Sequence, residues 1–274
     1  MCHACVIDHV SRTMLSRRSL FAGAAGTGLA LTAGGLAPRA ALAQTLPAAS
    51  RVVDLTHVFD EAFPTFDGKP GIAYEEDKTI TRDGYQIWKL TTWEHSGTHV
   101  DAPLHFSPDG RSVDQIEPAS LVCPLCIIDL TAKAADDANA MVEPEDVEAW
   151  VSAHGAIPQR ALVAMNSGWA AKLGTPAFRN TPDGALAFPG FSKAATDLLD
   201  DMGVVGIGVD TLSLDPGNST DFGVHASWLP SGHYGIENLA NLDRLPASGA
   251  TIVVGAPKHA RGTGGPARIL ALAP

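Results

Sequence analysis

His95-Ser96-Gly97-Thr98-His99-Val100-Asp101-Ala102-Pro103-Leu104-His105 gathers three histidines and one aspartate into eleven residues. His99 and Asp101 are two apart, so on an extended segment both side chains leave the same face. Ser96-Gly97-Thr98 is turn chemistry, and a tight glycine turn folds His95 back beside them. Two imidazoles and a carboxylate aimed at one point make ligands for a catalytic divalent metal, with positions left open for water and substrate. His105 comes four residues after Asp101, past a proline that prevents a regular helix. It stands where a proton shuttle belongs, near the ion without joining it.

The surrounding sequence supplies a sheet to carry this segment. Residues 51–57 read as a short apolar strand, and residues 59–80, rich in Phe, Pro, Gly and charge, as a long loop. Residues 85–93 alternate and read as the strand that delivers His95. Apolar strands are expected at residues 126–130, 161–165, 204–210 and 251–255. Helices are expected at residues 143–151, with Pro144 and acids in the first turn, and at residues 191–202, capped by Ser192. Glu237 to Leu242 reads as a further short helix. Strands outnumber helices and the two types mix, which implies an α/β or α+β domain around a central, largely buried sheet. Cys123 and Cys126 lie on one apolar run. Three apart on a strand, they face opposite ways, so buried free thiols are expected rather than a disulfide or redox pair.

Ser16-Arg17-Arg18-Ser19-Leu20-Phe21 is a twin-arginine pattern, followed by an Ala/Gly/Leu stretch and then Ala41-Leu42-Ala43, a small-x-small cleavage site. Residues 1–43 therefore read as a cleaved export signal, leaving one domain over residues 44–274 in the periplasm. The stretch is too glycine-rich and weakly apolar for a stable membrane anchor. Cys2 and Cys5 with His9 mimic a zinc knuckle but would leave with the signal; they read as an extended leader, or as residues upstream of a true start at Met14. Twin-arginine machinery exports folded proteins, so a metal taken up in the cytoplasm would be protected from competing ions outside. The formal charge is −11, and loss of four Arg and one Asp with residues 1–43 leaves the mature chain near −14. Such an acidic surface argues against nucleic acid or anionic membrane partners.

The eleven-residue pattern resembles the signature of the cyclase family of metal-dependent hydrolases, which includes kynurenine formamidase-like and isatin hydrolase-like members. The resemblance runs from about Val52 to the C-terminus. It takes in Val53-Asp54-Leu55-Thr56-His57, Asn166-Ser167-Gly168-Trp169 and Val209-Asp210-Thr211-Leu212-Ser213-Leu214-Asp215-Pro216. It implies a swivelling β/β/α architecture and homodimers or larger homo-oligomers. It also implies a second half to the site, because His225 and Glu237, twelve apart, match a spacing that completes a second metal position. By resemblance, one ion takes His95, His99 and Asp101. A second takes Asp101 as a bridge with His225 and Glu237. One or two ions, Mn2+ or Zn2+, are implied, with Asp210, Thr211 and Asp215 near them.

The expected activity is hydrolysis of a small amide or cyclic amide or imide by metal-activated water, with His105 moving the proton. Trp88, Trp93, Phe63 and Phe66 are candidates for holding a planar substrate. The two tryptophans are five apart, so a regular strand lets at most one of them reach the pocket. A lactone is chemically admissible, and a non-catalytic periplasmic metal- or ligand-binding protein is the competing class. His105 favours the enzyme, because a binder needs no acid–base group beside its metal.

Overall fold

The computed structural model describes residues 51–274, so the export signal, its cleavage point and the Cys2/Cys5 group lie outside the described residues. The strands follow in order: β1 (Arg51–Asp54), β2 (Ile72–Lys78), β3 (Ile87–Thr92), β4 (His99–Asp101), β5 (Val122–Asp129), β6 (Met141–Val142), β7 (Leu162–Asn166), β8 (Gly190–Phe191), β9 (Gly206–Val209), β10 (Tyr234–Glu237), β11 (Ala250–Gly255), β12 (Gly264–Pro266) and β13 (Arg268–Ala273). The helices are α1 (Ile80–Asp83), α2 (Thr131–Asp136), α3 (Pro144–His154), α4 (Lys193–Asp201) and α5 (Gly223–Trp228).

Nine strands form one mixed sheet in the order β1-β13-β11-β5-β7-β9-β10-β4-β12. Its centre, β5-β7-β9-β10, is parallel, and the flanks are antiparallel. Parallel neighbours need crossovers, and α3, α4 and α5 lie in the three segments between them. These helices share a core with one face of the central strands: Val147, Trp150, Ala195, Leu199 and Trp228 pack with Cys126, Val163 and Ile207. The Trp150 indole ties α3 to β5 by donating to the Ile127 carbonyl at 2.9 Å. Ser192 accepts from Ala195 N–H and caps α4 as expected.

The opposite face packs on itself. Val53 and Leu55 from one end of the sheet share a cluster with Val100 and Ile236 from the other, so the sheet curls. Leu55 and Ala240 complete the closure, the Ala240 N–H donating to the Leu55 carbonyl at 2.9 Å. Alternation along β5 sends Cys123 into this cluster and Cys126 into the helix-covered one, both as free thiols. Burial pushes the Cys126 thiol up to about 12. The mixed α/β arrangement agrees with the expectation.

Two expected elements are corrected. Residues 59–80 are not all loop, because β2 pairs antiparallel with β3 in a separate two-stranded sheet. The Ala-Tyr-Glu-Glu-Asp run of β2 is exposed nearly throughout, so no buried alternation marks it as a strand. Glu237 ends strand β10 and starts no helix. Pairing with β4 on one side and β9 on the other outweighs local helix propensity. Asn238 and Asn241 then turn the chain in the left-handed region, at φ 57° and 56°.

Candidate metal centre

The site grows from β4. His99 and Asp101 leave the same face of this short strand, as alternation requires. Gly97 adopts φ +65°, which glycine tolerates without penalty, and brings His95 back over them. A Cβ at Gly97 would lie 2.8 Å from the Phe59 ring, so the position is also closed sterically. His95 Nδ1 lies 2.6 Å from Asp101 Oδ1, and His99 Nε2 lies 3.2 Å from the same oxygen.

The distant residues arrive through the sheet. In the β4–β10 register Glu237 is the partner of His99, and its carboxylate stands 3.3 Å from His99 Nε2. His225 comes from α5, whose start is held by Asp215: that carboxylate accepts from Val224 N–H at 2.8 Å, His225 N–H at 3.1 Å and His225 Nδ1 at 2.6 Å. His225 Nε2 then reaches Glu237 at 3.2 Å and Asp101 at 3.6 Å. All five residues named by the motif and the twelve-residue spacing are thus brought together.

His99, Asp101, His225 and Glu237 are buried. His99 Nε2 and Asp101 Oδ2 have no hydrogen-bond partner, although burying such atoms unpartnered is costly. The cluster demands positive charge. Burial alone would lower the His99 pKa, but Asp101 and Glu237 push it up to about 10. Burial alone would raise Asp101, yet the charge of His99 and the His225 and His95 imidazoles beside it hold it well below the usual carboxylate range. Converging imidazoles and carboxylates with orphaned inward atoms fit a divalent cation. His99 donates from Nδ1 to the Gly97 carbonyl at 2.9 Å, as His225 does to Asp215, so both aim Nε2 inward.

His105 lies in a single 3-10 turn begun by Pro103 and stacks on His95, with centroids 3.7 Å apart and planes at 18°. One of its nitrogens also lies within 4.8 Å of ligand atoms of His95 and Asp101. Burial, aided by His95 and His225 against Asp101 and Glu237, moves its pKa down to about 4 and leaves the ring neutral.

His95, His99, His105, His225 and Glu237 line a cavity of about 280 Å3 whose apolar walls include Phe66, Phe106, Leu212 and Phe222. The rings form a continuous surface, Phe66 and Phe106 lying 5.8 Å and 6.1 Å from Phe222. Phe66, one of the aromatic candidates, is part of this wall. Phe63 is not: it is core, edge-on to Phe59 and Phe178. Trp88 is half exposed on the β2–β3 hairpin, edge-on to Tyr74 and outside the cavity. Trp93 lines an adjoining recess with Glu94, His95 and Ser96. Phe106 and Phe222 were missed, though each stands beside a motif residue: Phe106 follows His105, and Phe222 is three before His225. His57 packs against Phe63 and does not line the cavity. Asp210 serves the 166–169 turn, accepting from Ser167 and Trp169, and Thr211 donates to Pro189; only Asp215 of that trio braces a ligand.

Residues 53–216 match the family model Cyclase. The chain belongs to this family. It is 31% identical to an isatin hydrolase of Roseibium aggregatum, over 85% of this chain and 95% of that one. It is 28% identical to a kynurenine formamidase of Sphingopyxis alaskensis, over 72% of this chain and 86% of that one. A crystal structure of an isatin hydrolase bound to the product analogue thioisatinate superposes with a TM-score of 0.77 at 30% identity, covering 81% of this chain and 92% of that one. The swivelling β/β/α expectation holds, and the chain is a metal-dependent hydrolase of this family.

Proposed function

We propose that the protein opens small cyclic aryl amides of the isatin type by hydrolysis of the ring C–N bond. The observation that carries this reading is the stacking of His105 on a ligand histidine at the floor of a cavity walled by Phe66, Phe106 and Phe222. The similarity to an isatin hydrolase over nearly its full length supports it. His95, His99 and Asp101 would hold one divalent cation, Mn2+ or Zn2+. Asp101, His225 and Glu237 would hold a second where two are bound. Such an ion supplies Lewis acidity, acidifying water and polarising a carbonyl. His105 accepts one proton of the attacking water and returns it to the leaving nitrogen, so ring opening yields an amine and a carboxyl group on one product, and the carboxyl group loses its remaining proton to solvent. The phenylalanine wall orients the planar ring and keeps bulk water from the floor.

An aryl formamide is the second reading, favoured by the similarity to a kynurenine formamidase. A hydrolysis screen of the metal-loaded protein against isatin, N-formylkynurenine, cyclic imides and lactones separates the two. Isatin turnover well above the other compounds is the expected result; formamide turnover dominating would replace the first reading. Binding of all compounds without turnover would establish the non-catalytic class.

The twin-arginine pattern supports a periplasmic enzyme delivered by the folded-protein export machinery. A homo-oligomer accounts for the β2–β3 hairpin, which exposes Ile87, Trp88, Leu90 and Trp93 together. Sedimentation of the purified protein tests that assembly, and fractionation of expressing cells tests the compartment.

A further inference from the structure

His259-Ala260-Arg261-Gly262-Thr263-Gly264-Gly265 is a glycine-rich segment beside the metal site. The fold lays it along β4: Ala102 N–H donates to the Thr263 carbonyl at 2.8 Å, and Gly264 pairs with Asp101. A chain of polar contacts there ends on His95. The Thr263 hydroxyl oxygen lies 2.6 Å from Glu94 Oε2 and 2.9 Å from His95 Nε2. Thr263 N–H donates to the same carboxylate oxygen at 3.2 Å, and His259 Nε2 reaches the other oxygen at 2.7 Å.

Counting protons along this chain settles their direction. An ionised carboxylate only accepts, and a hydroxyl has one proton to give. Glu94 Oε2 accepts from the Thr263 N–H as well as from the Thr263 hydroxyl. The Thr263 proton therefore goes to Glu94, and Thr263 Oγ1 must accept from His95. Nε2 therefore carries a proton, and Nδ1, the nitrogen 2.6 Å from Asp101, is the one left to face a cation. His99 and His225 are arranged the other way, donating from Nδ1. The glycines make room for the chain. A Cβ at Gly264 would lie 2.8 Å from His95 Cε1, and one at Gly262 would lie 2.9 Å from Glu94 Oε1.

We propose that Thr263 and Glu94 are positioning residues that hold His95 in its Nε2–H tautomer, so that it offers Nδ1 to the cation while its two partners offer Nε2, with His259 bracing Glu94 from the surface. This rests on the metal-hydrolase reading above. Two measurements test it. The first is chelator competition for Zn2+ in wild type, Thr263→Val and Thr263→Ser. Valine keeps the shape and removes the acceptor, so affinity should fall about 10–100-fold, and serine should restore most of it. The second is the nitrogen NMR spectrum of Zn2+-loaded wild type with 15N-labelled histidine, in which His95 should carry its proton on Nε2. It decides the matter even if Thr263→Val does not fold. A proton on His95 Nδ1, or equal affinity in Thr263→Val and wild type, overturns the positioning role alone. A wild type that takes up no Zn2+ overturns the metal reading with it.

Discussion

The floor and the walls of the cavity are made in different ways. The floor draws on paired strands: His99 and Asp101 on β4, Glu237 opposite them on β10, and His95 one glycine turn away. The walls draw on rings from separate connections, Phe66, Phe106 and Phe222, which meet only in the folded chain. Backbone register therefore sets the geometry of the strand-borne ligands, to which α5 adds His225, whereas side-chain packing sets the shape offered to substrate. The floor should tolerate almost no change, and the walls should trade one substrate for another.

Substitutions can break this contrast, beginning with the floor. Asp101→Ala removes the carboxylate shared by three imidazoles. It should abolish both bound metal, read by elemental analysis, and turnover; retained metal would show that the floor is not one unit. His105→Ala should cost about 10²–10⁴-fold in kcat while metal content stays at the wild-type level. Loss of metal in that variant would make His105 a ligand. Phe222→Ala should raise KM several-fold and change kcat less, since an aromatic contact contributes about 0.5–1.5 kcal/mol beyond its area. A kcat loss as large as that of His105→Ala would erase the distinction between wall and floor. Trp88→Ala, outside the cavity, should leave kcat/KM unchanged in steady-state assays; a drop there would mean that the hairpin reaches a site in the assembled protein.

The same contrast explains what could be read before any coordinates. The eleven residues from His95 to His105 were legible because alternation, a glycine turn and a proline act locally. His225 and Glu237 were legible only through a family spacing; nothing near Glu237 announces that it ends a strand, since its pairing partner lies more than a hundred residues away. β2 escaped notice because its charged, exposed residues show no buried face. The aromatics divided by depth. Phe63 and Phe66, three apart in one loop, went to the core and to the cavity, and that choice depends on Phe178 and Phe222 beneath them. Thr263 and Glu94 carry no motif that sequence alone would flag, and only hydrogen-bond geometry ties them to His95.

The two thiols of β5 carry a consequence of another kind. Each sulfur is sealed in a different apolar layer, with the thickness of a strand between them. The native chain can therefore pass between reducing and oxidising surroundings without gaining or losing a covalent link. Disulfide formation at these positions is confined to molecules that have already lost their shape, where the two sulfurs, three residues apart, can reach each other or another chain.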